Sequence, residues 1–173
     1  MAAKPIFIPR IPKYERLQRM AERYPSLDPD KAEAHVALKV VAEEVGTAIK
    51  LELTRHGLGE GRFVVLALLL EQHPGPLTHS ELAELSGVTR ANITGLVDGL
   101  ERDGYVKRED SGADRRVRPI SLTPVGQQLI EDVLPDRFAW INTLMGGLSA
   151  SECKTLVALL MKVRAGLSAL KRE

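Results

Sequence analysis

Apolar positions recur every three or four residues over most of the chain, which is the period of helices, and give way to short extended runs only near its middle. Tyr14, Leu17, Ala21 and Tyr24 predict a short amphipathic helix ended by Pro25. Asp28 and Pro29 are an N-cap and first-turn pair, and the helix they open runs through Ala34, Leu38, Val41, Val45, Ile49 and Leu53 to about His56. Gly57, Gly59 and Gly61 mark a break. From Arg62 to His73 the run FVVLALLLEQ is apolar nearly all round, and its length and Ala/Leu/Glu/Gln content predict a helix buried on several sides, the centre of the core. After His73-Pro74-Gly75-Pro76, Thr78 and Glu81 form a capping-box pair that opens a helix to about Leu85. Ser86-Gly87 makes a turn, and Thr89 caps a second helix that ends near Gly104.

Tyr105 to Glu109 and Val117 to Leu122 read as two strands of a β-hairpin joined by Asp110-Ser111-Gly112-Ala113-Asp114. Thr123 then caps a helix with Pro124 at its first position and a stripe of Leu129, Val133, Leu134, Phe138, Ile141 and Leu144. Gly146-Gly147 ends it, and Pro135 predicts a bend within it. Ser149 and Glu152 cap a last helix whose Leu156, Leu159, Leu160, Val163, Leu167 and Leu170 share a face. At the other end PIFIPRIP, residues 5–12, is held extended by its prolines. The fold expected is mainly α with a small β-hairpin wing.

Composition narrows the function. The 173 residues, 44% hydrophobic and 27% charged, suit a soluble globule rather than a disordered or repetitive chain. A single cysteine excludes an internal disulfide and a four-thiolate zinc site, and favours a reducing setting. No stretch approaches the roughly 20 apolar residues of a membrane span, and Pro5, Pro9 and Pro12 break the run a signal peptide needs, so a cytoplasmic protein is expected, with no membrane partner. The net charge of +1 gives no global pull toward nucleic acid, so any such function rests on local placement of charge.

That placement is found in the middle of the chain. Two helices joined at Gly87 and followed by a hairpin make the order of a winged helix-turn-helix. Ala83 is small where the helices cross, and Val88, Ile93 and Leu96 pack the second helix on the first. Thr89, Arg90, Asn92 and Thr94 stand at the start of that second helix, the end that enters a major groove. Thr89 is read equally as a plain cap, and Arg90 and Asn92 as solvated surface. Between Tyr105 and Ile120 five basic residues, Arg118 among them as a DNA-binding candidate, stand against three acidic ones. Arg115 and Arg116 lie just past the hairpin tip, where a guanidinium can reach a minor groove. Asp114 can brace one of them. The competing reading is a charged tip kept for solubility and edge protection.

The segment ELAELSGVTRANITGLVDGLERDGYVKREDSGADRRVRPISLTPVGQQLI, Glu81 to Ile130, resembles the winged helix-turn-helix of the MarR family of bacterial transcription regulators. The likeness rests on Leu100-Glu101-Arg102-Asp103-Gly104-Tyr105-Val106, on Asp114-Arg115-Arg116 and on Leu122-Thr123-Pro124-Val125-Gly126. It implies a winged helix-turn-helix flanked by N- and C-terminal dimerisation helices, in a homodimer set on successive major grooves of double-stranded DNA at a pseudo-palindromic operator. The leucine-rich last helices point the same way, because they carry more apolar surface than one small domain covers. The chain then divides into an arm and short helix (1–27), an N-terminal dimerisation helix (28–60), the winged helix-turn-helix (61–122) and C-terminal dimerisation helices (123–173). Gly95 and Gly99 depart from the family, many of whose members carry a basic residue at one of these places. The second helix has only Arg90 and Arg102 against Asp98, Glu101 and Asp103, so modest non-specific affinity is expected.

The resemblance also implies a small aromatic effector in a cleft lined from His35, Leu38, His56, Phe63, Val64 and Trp140, with packed core or satisfied histidine as the competing reading for each. A urate-type sensor is disfavoured because Phe63 and Val64 stand where it would carry an acid. Cys153, beside Glu152 in a first helical turn, is a weak candidate for redox sensing. No metal or other cofactor is expected: His35, His56, His73 and His79 lack ligand spacing, and no nucleophile-base pattern or phosphate loop marks an enzyme. The expected function is a ligand-responsive repressor. The alternative is a winged-helix module that binds protein without reading DNA.

Overall fold

The computed structural model describes residues 12–72, 75–109 and 118–170. Its elements, in chain order, are α1 (Tyr14–Arg23), α2 (Pro29–Thr54), α3 (Glu60–Glu71), α4 (His79–Ser86), α5 (Arg90–Arg102), β1 (Val106–Arg108), β2 (Ile120–Leu122), α6 (Pro124–Met145) and α7 (Ala150–Leu170). The chain divides into two compact units, Met1–Phe63 and Val64–Glu173, with the boundary inside α3. Among the described residues no single helix is long and apolar enough to cross a membrane.

In the first unit α1 lies against α2: Leu17 is buried and the Tyr14 hydroxyl donates to Asp30 Oδ1 at 2.8 Å. Asp28 caps α2 by accepting from the N–H groups of Asp30 and Lys31 at 3.1 and 3.2 Å, and Pro29 takes the first position, where an N–H would have no partner. Gly57 adopts φ 69°, the left-handed turn that follows α2. Gly61, expected in the break, lies inside α3, which begins earlier because Glu60 suits the positive N-terminal end of a helix.

The core of the second unit gathers Val65, Leu66 and Leu69 from α3, Leu82 from α4, Ile93, Val97 and Leu100 from α5, Val106 and Ile120 from the strands, and Ile130 and Val133 from α6; none is more than 2% exposed. The strands pair antiparallel with Val106 opposite Leu122 and Arg108 opposite Ile120. Both are shorter than the expected 105–109 and 117–122. Tyr105 spends its N–H on the end of α5, donating to the Leu100 carbonyl at 2.9 Å, and Pro119 has no N–H to add to the ladder. The hairpin turn lies outside the described residues. A third extended segment, unforeseen, joins them: Leu77 and Ile120 exchange N–H to carbonyl bonds at 2.9 and 2.7 Å.

Behind the wing, two motifs close one joint. Gly104, at φ 78°, turns the chain after α5, and the Thr123 hydroxyl donates to its carbonyl at 2.7 Å while accepting from the Gly126 N–H at 3.1 Å. Gly126 lies so near Tyr105 that a Cβ would stand 1.9 Å from its carbonyl oxygen. The residues that carry the family likeness are therefore, in large part, structural. Beyond this joint α6 runs as one helix through Pro135. Pro135 and Glu131, whose carbonyl loses its partner, are both exposed, so water can take the freed oxygen.

Candidate nucleic-acid interface

The geometry of the helix-turn-helix begins with a cap. The Thr78 hydroxyl accepts from the Glu81 N–H at 3.2 Å, and Glu81 Oε2 accepts from the Thr78 N–H at 2.7 Å. The second of these bonds, with one from the Thr78 hydroxyl, holds the Glu81 carboxyl below the usual range. Gly87 then adopts φ 68°, which only glycine takes freely, and the Ser86 hydroxyl donates to the Leu82 carbonyl at 2.6 Å. Thr89 opens α5 by accepting from the Asn92 N–H at 3.4 Å, so it is a cap, as the plainer reading has it.

Ile93, Val97 and Leu100 turn one side of α5 into the core and leave Arg90, Asn92 and Thr94 exposed at its first turns. The Thr94 hydroxyl donates to the Arg90 carbonyl at 3.0 Å, so its free lone pairs face outward as an acceptor. With Arg90 as donor and Asn92 as both, this end of α5 offers the set that distinguishes base edges in a major groove. Among the described residues, and apart from the backbone of α5 itself, nothing stands within 4 Å of where a Cβ would sit on Gly95 or Gly99, so packing among these residues does not demand their smallness.

The acidic excess expected on α5 is offset from outside the helix. Arg108 of β1 reaches across with one guanidinium nitrogen on Asp98 Oδ1 and the other on Glu101 Oε2. A half-buried arginine between two carboxylates fixes direction as well as charge, so this pairing ties the wing to α5 and offsets one of the two negative charges beside the exposed polar end. The residues on either side of Arg108 form an ion pair of their own: Lys107 Nζ lies 3.0 Å from Glu109, which also accepts from the Ser121 hydroxyl at 2.6 Å. The Ser121 bond, then Lys107, lowers the Glu109 carboxyl below its ordinary value. At the start of α4, half-buried His79 is lowered chiefly by burial and next by the guanidinium groups of Arg108 and Arg90, against the pull of Asp98 and Glu101. Its imidazole is neutral at pH 7 and can donate or accept.

Arg118 is exposed just before β2, on the hairpin side expected. Arg115, Arg116 and Asp114 lie outside the described residues, as does His73. Of the six residues expected around an effector, His35 and Leu38 are exposed and His56 and Phe63 half-buried in the first unit, while Val64 and Trp140 are half-buried in the second, with Arg137 stacked 4.6 Å from the Trp140 ring centre. A groove along α2, lined by Ala42, Glu43, Gly46, Thr47, Lys50 and Leu51, includes none of them. Cys153 is half-buried in the first turn of α7.

Arg108, Asp98, Glu101 and His79 are the residues that sequence reasoning missed as a group. One signal pointed to Arg108: two residues after buried Val106, the period of a strand puts it on the inward face.

The profile of the MarR family matches residues 56–117. Over 161 residues the chain is 35% identical to the HTH-type transcriptional repressor YetL of Bacillus subtilis (strain 168), spanning 93% of this chain and 96% of that one. It is 30% identical over 121 residues to the transcriptional repressor MprA of Escherichia coli (strain K12), covering 70% and 69% of the two chains. In fold it resembles S. aureus MepR, solved as a DNA complex, with a TM-score of 0.68 at 22% identity over 75% of this chain and 95% of that one.

Proposed function

This chain belongs to the MarR family, and on that premise we propose that it acts as a homodimeric repressor that a small ligand releases from a pseudo-palindromic operator. It is a DNA-binding transcription regulator. The observation that carries the proposal is the division of α5 into a fully buried apolar side and an exposed first turn bearing Arg90, Asn92 and Thr94. In it, Arg90, Asn92 and Thr94 read base edges and Thr89 positions the helix. Arg118, with Arg115 and Arg116, meets the backbone or minor groove beside them.

Dimerisation is supported by α7, in which no described side chain is buried, and by the second half of α6, where Phe138, Ile141 and Leu144 are exposed. So many exposed apolar side chains are seldom left bare in water, and a second copy offers matching ones. We assign release to a small aromatic ligand, with His35, His56, Phe63 and Trp140 as its candidate contacts, and place the protein in the cytoplasm, acting by occupancy of DNA rather than by catalysis.

Selection of bound sequences from a random duplex pool tests the reading. The expected result is an inverted repeat with half-site centres about 10 base pairs apart. Recovery of no enriched sequence, with binding that ignores salt, would return the case to a protein-binding winged helix.

A further inference from the structure

Charge is divided unevenly along this chain. The first 27 residues hold six basic and two acidic side chains, a net of +4, while residues 28–173 hold 18 basic and 21 acidic, a net of −3. A regulator of DNA whose main body is acidic gains little long-range attraction from that body, and Arg108 has already committed its charge to two carboxylates.

The basic residues of the first segment are ordered on a helix. Lys13 is the N-cap of α1, and Arg16, Arg19 and Arg23 follow at spacings of three and four, which places all four along one side over about 15 Å. All are exposed, and none has an ionic partner among the described residues. Arg23 leans over the Tyr24 ring at 5.6 Å, its charge still in water. The apolar side of the helix faces α2 in part: Leu17 is buried, Tyr14 is bonded to Asp30, and α1 lies against α2, while Met20 and Tyr24 stay exposed.

We propose that the basic face of α1 is a second DNA-binding surface, taking the phosphate backbone of duplex DNA. This rests on the reading of the chain as a DNA-binding regulator. Four cations over about 15 Å meet a duplex that presents roughly one negative charge per 1.7 Å of its axis, so each has a phosphate within reach. A bilayer is the poorer match, since a surface-lying helix binds by inserting a broad apolar side, and α1 has turned Leu17 to α2. The contact carries no sequence information; it adds affinity and a steep dependence on salt.

The test compares the full chain with Arg16→Gln/Arg19→Gln/Arg23→Gln on a random-sequence duplex of about 40 base pairs, titrated across salt concentrations. The variant should bind at least about tenfold weaker at low salt, and the slope of log affinity against log salt should become shallower by about one for each phosphate no longer neutralised. The triple Lys variant should keep both affinity and slope, because the interaction is with charge. Arg19→Gln alone should show a fraction of the slope change, which keeps the test open should the triple variant fold poorly. Unchanged affinity and slope beside normal wild-type binding would overturn this inference and leave the regulator standing. Absence of wild-type binding to any duplex would overturn the regulator and the inference together. Loss of phosphatidylglycerol-vesicle binding with DNA binding unchanged, or an altered sedimentation mass, would also overturn it by giving the face to a membrane or to a protein contact.

Discussion

The helices α5 and α7 both leave most of their side chains in water, with opposite chemistry. In 13 residues α5 buries Ile93, Val97 and Leu100 and shows the solvent polar groups, so one chain completes it. In 21 residues α7 buries nothing described, and Leu156, Leu159, Leu160, Val163 and Leu167 stand 37–56% exposed. A helix finished by its own chain can spend its outer face on a polar, exchangeable partner such as DNA. An apolar helix left bare needs a partner that stays. The α6 helix contains the change within itself: Gly126, Ile130 and Val133 are buried, whereas Phe138, Ile141 and Leu144 are exposed.

The largest expected effect falls on α7. Leu156→Glu with Leu160→Glu would put unpaired carboxylates into the proposed interface and weaken self-association by about a thousandfold, near 4 kcal/mol. Sedimentation equilibrium should show single chains that retain their helical circular dichroism, and an undiminished two-chain mass would erase the contrast between the helices.

Gly126→Ala acts on the finished side. Its Cβ would meet the Tyr105 carbonyl oxygen at 1.9 Å, so the joint must open at a cost of about 3 kcal/mol, read as a fall in Tm of roughly 6–12 °C. A thermal midpoint within a degree of the wild type would mean the joint does not hold α6 to the wing.

Arg108→Gln should act on binding. Left without their guanidinium, Asp98 and Glu101 repel the phosphates, and operator affinity should fall about tenfold, or 1.4 kcal/mol. Adding Asp98→Asn and Glu101→Gln should restore most of the loss. If the triple variant binds no better than Arg108→Gln, the arginine meets DNA directly and its carboxylate pairing is incidental.

The smallest effect is the cap of α4. Thr78→Ala should cost about 1 kcal/mol in chemical denaturation. Because the folded state lowers the Glu81 pKa, its contribution is present above the unfolded value, near 4.3, and is lost as pH falls through the folded value. Wild-type stability should therefore drop more steeply below about pH 5 than that of Glu81→Gln, and parallel curves would remove the carboxylate from the cap.

Signals spanning a single turn were readable along the chain. Asp28, Thr78, Thr89 and Thr123 each cap the helix expected of them by accepting an N–H two or three residues ahead, and Gly87 turns left-handed where two helices must part. The polar end of α5 was legible for the same reason, since a period of 3.6 separates Arg90, Asn92 and Thr94 from Ile93, Val97 and Leu100. Such features depend on neighbours the chain itself supplies, so they belong to any conformation in which the helix forms.

The pairings that join distant segments could not be had that way. Leu77 reaches Ile120 across 43 residues, Gly126 lies on Tyr105 across 21, and Arg108 chooses Asp98 and Glu101 over the nearer Glu109. Each depends on which surfaces meet once the helices have packed. The one-dimensional pattern sets the energy of each surface but not its distance from the others, so these pairings were settled by the folded arrangement alone.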